Sequence, residues 1–438
     1  MAILSQEEAK KIIDKVLSYS KADEMKVELT GGRSGNIRFA RNSVSTAGAT
    51  NNLSLSVTVV LGKRIGTSDI NEFDDASLEK AVRRAEEMAR LAPENPEYMP
   101  MPGPQTYAKP QAFVETTANM KAPDRAKLAG ASIKSIMASQ LSGAGFLEDS
   151  SSFNAIGNSK GLFGYHKNTS VNFSLTIRTP DGTGSGYAAG DYNDATKLNT
   201  GSLTDIAIQK AKASQKAAAL EPGKYTVILE PLAAGELVQF MIRAMDARTA
   251  DEGRSFLSKK GGGTRLGEKL LDERVTIYSD PTDVQIPSSP FSAEGYPHER
   301  VTWFDKGVVK NLSYSAFWAK QKGAKPLPEP SGFVMTGGTQ SLAELIKGTE
   351  KGILVTRFWY TRWLDPQTLL YTGLTRDGTF YIDKGQIKHP VKNFRFNESP
   401  VIMLNNLEAL GIPERTRGNM VPPMRIRDFT FSSLSDAV

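Results

Sequence analysis

Strand-type runs in this chain arrive in pairs around glycine, and single helices separate the pairs. "NNLSLSVTVVLGKRIGTSDI" at 51–70 shows the pattern, with two β-branched, partly alternating runs either side of Gly62. Pairs of this kind read as antiparallel hairpins. The runs "MKVELTGG" and "GNIRFAR" just before it read as two further strands. A doubly wound parallel sheet needs a helix after each strand, so this rhythm excludes it. The expected class is α+β, with antiparallel-rich sheets and flanking helices.

The helices between the hairpins are marked by spacing and caps. "SQEEAKKIIDKVLSYSK" puts Ala9, Ile12, Ile13, Val16 and Leu17 at helical intervals behind a capping box of Ser5 and Glu8. "DDASLEKAVRRAEEMARLA" forms a second helix, capped at Asp74, Asp75 or Ser77. "DRAKLAGASIKSIMASQLSG" and "DIAIQKAKASQKAAAL" supply two more. The Pro-rich stretch 93–110 reads as an extended, wrap-around arm. "EPGKY" marks a boundary, giving an N-terminal α+β domain over 1–220 and a β-rich domain over 221–438. The second half opens with the strand "YTVILE" and an amphipathic helix, "ELVQFMIRAMDA", expected over Glu236–Ala247.

Composition removes several chemistries. The 438 residues contain no cysteine, which excludes disulfides, thiolate nucleophiles and thiolate-held metals. A hydrophobic fraction of 39% is enough to bury a core. The net charge of +6, spread over this length, gives little reason to expect nucleic acid. No apolar run has the length of a membrane span, and the first residues lack a signal peptide's apolar core, so the cytoplasm is the expected place.

Short motifs do not name a function. "GGGTRLGEK" at 261–269 resembles a phosphate loop, but Glu268 stands where the lysine should follow Gly267, and a flexible basic loop is expected. "GTGSGYAAG" at 182–190 has Tyr187 where a dinucleotide loop needs its third glycine. It also has Thr183 where a nucleophile elbow needs glycine, which leaves a turn. The histidines His166, His298 and His389 lie far apart in sequence. His298 with Glu294 and Glu299 is the one weak metal or acid/base cluster, and Asp377 with Asp383 the other place for a relocated hydrolytic site. "RFWYTRWLDP" at 357–366 reads as an alternating strand with half its rings in the core. Any exposed rings, such as Trp359 or Trp363, would suit a peptide or protein surface.

Taken in order, several segments resemble the TldD/PmbA family, peptidase-related proteins also called modulators of DNA gyrase. They include "NIRFARNSVSTAG", "NAIGNSKGLFGYH", "YTVILEPLAAGELV", "GGTQSLAELIKGTEKGILVTRFWY" and "MVPPMRIRDF". The resemblance covers nearly the whole chain and implies a two-domain TldD/PmbA-like architecture. It also implies a catalytic subunit with His-Glu-x-x-x-His on the helix after the "VILEP"-like strand and a cysteine ligand near its C-terminus. A zinc-bound water is then the nucleophile and the glutamate its base. In this chain Gln239 falls at the first histidine, Phe240 at the glutamate and Ala244 at the second histidine.

The resemblance therefore implies the branch without zinc, a pseudoenzyme subunit with no cofactor of its own. Its expected partner is a TldD-like catalytic subunit holding the zinc, or a second copy of itself, and its expected substrate is peptide. Along the same helix Leu237, Val238, Met241 and Met245 form a stripe expected to be buried. Gln239, Arg243 and Asp246 share the other side, with Gln239 expected to face the cleft. Arg243, Asp246, His298, Trp359 and Trp363 are the candidate peptide or partner contacts. Two other readings are a hydrolase with a relocated site and a module that binds gyrase or DNA.

Overall fold

The computed structural model describes residues 3–435. One six-stranded antiparallel sheet organises the first half. Its strands run in the spatial order Arg64–Ile70, Ser43–Leu61, Glu24–Ala40, Ser142–Asn158, Phe163–Arg178, Ser185–Tyr192. Side chains alternate across a strand, so Met25, Val27, Leu29, Ile37 and Phe39 all point to one face. Helices Gln6–Ser18 and Asp75–Leu91 cover that face at Met25, Val27 and Leu29. Helices Ala122–Ala138 and Thr200–Ala213 cover it at Ile37 and Phe39.

The helix signals hold in detail. Ser5 and Glu8 form the capping box, with Ser5 N–H donating to Glu8 at 2.7 Å and Glu8 N–H to Ser5 Oγ at 3.2 Å. Of the three candidate caps for the second helix, Asp74 is the one used, accepting from Ser77 N–H at 3.0 Å. The Pro-rich arm has no helix or strand over 93–110 and is pinned by hydrogen bonds. Tyr98 Oη and Met101 N–H both donate to Glu24, at 2.6 and 2.7 Å. Tyr107 Oη donates to the Gly295 carbonyl at 2.7 Å, which ties the arm to the second half.

One expectation is corrected. "MKVELTGG" and "GNIRFAR" are not two strands but one, Glu24–Ala40. The glycines between them are not turn residues. A side chain at Gly31 would come within 2.7 Å of Leu53 and Phe153, and one at Gly32 within 2.6 Å of the Ser151 carbonyl. Close approach of neighbours, rather than a reversal of the chain, explains glycine there.

The second half contains two sheets. In the first, hydrogen bonding runs from Lys351–Asp365 to Gly223–Leu229, Met424–Ser435, Asn393–Glu398 and Leu370–Asp383. Leu370–Asp383 then pairs with Lys351–Asp365 again, so the path closes. Phe358, Phe394, Phe396, Phe429 and Phe431 pack together in its core, with Phe358 and Phe396 ring centres 4.3 Å apart. The other sheet is made of short strands between Ile277 and Val421. The helix Pro231–Arg243 packs its apolar side into the core shared by these sheets.

Charged groups join the two halves. Asp377 accepts from Arg357 Nε at 2.7 Å and from Nη2, and also from Ser185 Oγ at 2.5 Å. Asp377 is 1% and Arg357 8% exposed, and the guanidinium lies 3.9 Å from the Tyr187 ring centre. Lys210 meets Glu230 at 2.6 Å and Arg415 meets Asp191 at 3.0 Å along the same seam. Removing one member of a buried pair leaves the other charge uncompensated, at roughly 3–5 kcal/mol. Asp377→Ala is expected to lower the unfolding free energy by about that amount in urea titration. A loss below about 1 kcal/mol would show that the pair carries no such role.

Candidate functional site

The Gly223–Leu229 strand runs straight into the site helix. Glu230 is extended at the N-cap and Pro231 takes the first helical position, where its missing N–H costs nothing. The helix therefore spans Pro231–Arg243 and not Glu236–Ala247. It stops because Ala244 takes the C-cap and Asp246 caps a separate short helix, Ala247–Asp251, by accepting from Thr249 N–H at 2.8 Å. Leu237, Val238, Met241 and Met245 are buried, as their spacing requires. Glu236 is buried too, accepting from Thr361 Oγ1 at 2.5 Å and Arg417 Nη1 at 3.0 Å.

The other side of the helix end lines a cavity of about 600 Å³. Phe240, Arg243, Ala244 and Asp246 form one wall. Trp363, Leu369 and Tyr371, from the far end of the hairpin Lys351–Asp383, form the facing wall. Phe240 and Tyr371 close the floor as stacked rings, 4.6 Å between centres and 9° from parallel. The structure thus brings together Phe240, Arg243, Ala244, Asp246 and Trp363. Gln239 is half-buried and lies outside the cavity lining, contrary to expectation. The lining face is centred on Phe240 and Ala244 with Arg243 at its edge, and Gln239, about 100° round the helix from Phe240, lies beyond Arg243.

The charges around this cavity are mostly committed. Asp365 accepts from Thr368 Oγ1 and from the Gln367 and Thr368 amides, which hold its carboxyl below the usual range. Arg254 donates to Glu252 at 3.0 Å. Near the rim, burial and then the charge of Asp246 push the Glu329 carboxyl up, while Arg243 opposes them.

The remaining candidates are not brought together. His298 donates its Nδ1–H to the Ser289 carbonyl at 2.9 Å, and burial holds its imidazole below the ordinary value. Glu294 and Glu299 are exposed. Among the described residues no group of three acids or histidines is placed to hold a metal. Asp377 and Asp383 sit on one strand, six residues or roughly 20 Å apart, and Asp377 is taken by Arg357.

The aromatic run is also corrected. Phe358 is in the core, but Trp359, Tyr360 and Trp363 are 42%, 64% and 61% exposed. A left-handed φ of 58° at Tyr360 and a register shift between Trp359 and Arg362 break the alternation. Trp359 lies outside the cavity lining, with the Arg357 and Arg376 guanidinium groups 5.2 and 4.8 Å from its ring centre. Leu369 and Tyr371 were not singled out in the sequence, where "LLYTGLT" reads as an ordinary strand.

Residues 222–433 match the PmbA/TldA metallopeptidase C-terminal domain, 27–89 match domain 1 and 102–218 match the central domain. The chain belongs to the TldD/PmbA family. It is similar to a metalloprotease of Methanothermobacter thermautotrophicus, 25% identical over 216 residues, 46% of each chain. A metalloprotease of Archaeoglobus fulgidus is 34% identical over 102 residues, 23% of each chain. Both matches span less than half the length of these relatives. Two solved structures share the fold. TldE from Thermococcus kodakarensis superposes with a TM-score of 0.87 at 16% identity, covering 97% of this chain and 99% of that one. A proposed modulator of DNA gyrase from Bacteroides thetaiotaomicron gives 0.85 at 23%, covering 97% and 98%.

For a TldD/PmbA member, the donor set on the site helix does not fit zinc. Phe240 offers a hydrocarbon ring packed on Tyr371, Ala244 offers a methyl group, and Gln239 is a weak neutral donor. No step through a metal follows from these side chains.

Beside Tyr371, on the neighbouring strand, lies a further acid. Glu398 pairs with Tyr371 across strands and accepts from the Ser399 and Thr430 amides at 3.0 and 3.1 Å. Burial outweighs these bonds and pushes its carboxyl up to about 6. The folded chain then holds this proton more tightly than the unfolded one. The stabilisation is complete below about pH 4.5 and is lost as pH rises through about 6. Glu398→Gln is expected to remove a loss of about 2 kcal/mol across that window. The measurement is the difference in urea unfolding free energy between variant and unchanged chain, which cancels the opposite effect of His166, lowered by burial to about 4. Equal pH slopes would contradict the assignment.

Proposed function

We propose that this chain is the metal-free, peptide-holding member of a two-subunit zinc protease. The observation that carries this reading is the cavity on the site helix. It is open and walled by rings where the family's catalytic helix would present its base and second histidine. In this reading the chain binds and shapes unfolded or small peptides. A related subunit bearing His-Glu-x-x-x-His supplies the zinc-bound water and the general base. The metalloprotease relatives support the peptidase context, and the likeness to TldE supports the frame.

Co-expression with a family member that carries the motif tests it. The two chains are expected to co-elute, with zinc in the partner alone, and peptide cleavage is expected from the pair but not from this chain. A homodimer that ignores the motif-bearing chain, or a purified chain that holds stoichiometric zinc and cleaves peptide, would overturn the proposal.

A further inference from the structure

The cavity's chemistry narrows what it holds, on the assumption that it holds peptide. About 600 Å³ lies within the usual range of ligand pockets, roughly 300–1,000 Å³. Its floor is apolar, made by the stacked Phe240 and Tyr371 with Leu369 beside them. Four ionic side chains line it, and three are committed. Asp246 and Asp365 serve backbone caps, and Arg254 is bonded to Glu252. The fourth, Arg243, is exposed and, among the described residues, forms no ion pair. The nearby Glu329 feels its charge without pairing.

Spacing ties the cation to the floor. Phe240 and Arg243 are three residues apart on the helix, so they stand side by side on one face, about 5–6 Å apart at Cβ. Ala244 next to them is small and leaves the space above the rings open. A ligand that fits must carry a carboxylate a few ångström from an apolar side chain. We propose that the cavity binds the C-terminal residue of a peptide. Its apolar side chain lies on Phe240 and Tyr371, and its α-carboxylate is held by the guanidinium of Arg243, in the two-pronged manner arginine favours. An acidic side chain within a peptide shares the carboxylate. Only a C-terminal residue carries it beside its own apolar side chain.

The test is equilibrium binding of three labelled heptapeptides to the full chain. One ends in phenylalanine as the free acid, one is the same peptide as the C-terminal amide, and one is that amide with aspartate as the penultimate residue. The free acid is expected to bind roughly tenfold or more tightly than the plain amide. Arg243→Gln should erase that difference with an unchanged urea midpoint, and Arg243→Lys should restore part of it. Equal binding of free acid and plain amide overturns the carboxylate assignment while leaving the peptide-holding reading intact. Equal binding of the aspartate amide and the free acid overturns the C-terminal assignment. Binding of none of the three overturns the peptide-holding reading and this inference with it.

Discussion

The buried pair of Arg357 and Asp377 is the contact on which the site's geometry depends. Arg357 belongs to Lys351–Asp365 and Asp377 to Leu370–Asp383, the two strands whose far ends carry Trp363 and Tyr371. Ser185 donates to the same carboxylate from the first half, and Tyr187 lies against the same guanidinium. A single ionic centre thus fixes the hairpin's two strands to each other and to the neighbouring sheet. Burial of both charges makes the arrangement intolerant of partial satisfaction, because either charge alone would be costly. The hairpin can then project beyond its core, with exposed rings, and still present a defined wall to the site helix.

On the facing wall, orientation and chemistry are set by different residues. Leu237, Val238, Met241 and Met245 fix how the helix is turned by being buried. Glu236 adds bonds to Thr361 and Arg417 from two other elements. These contacts hold the helix in place independently of the side chains on its opposite face. Here that face carries an aromatic ring, a methyl group and an arginine. The ring stack gives an apolar floor, and the arginine gives a charge with no ion-pair partner among the described residues.

Much of the fold was legible because it rests on local signals. The Ser5–Glu8 box, the Asp74 cap and the buried stripe of the site helix follow from spacing alone. The family frame was legible from segment order. Three features were not. Gly31 and Gly32 look like turn residues unless the packing of Leu53, Phe153 and Ser151 against them is known. The aromatic run loses its alternation through a positive φ at Tyr360, a residue type that gives no warning of it. The helix boundary moved because Pro231 and Asp246 begin helices on either side of the expected span. In the site, Arg243 and Trp363 were legible as chemistry-bearing residues, whereas Tyr371 became a site residue only through its pairing with Trp363, and Leu369 through the turn just before that strand.

On the proposed function, the face of the site helix holds peptide and does not cut it. Amide hydrogen exchange of the isolated chain, with and without an excess of an unstructured peptide, tests this most directly. Slower exchange is expected over residues 240–246 and 363–371, with the peptide recovered intact. Protection confined to other regions, or a peptide cleaved by the isolated chain, would contradict it.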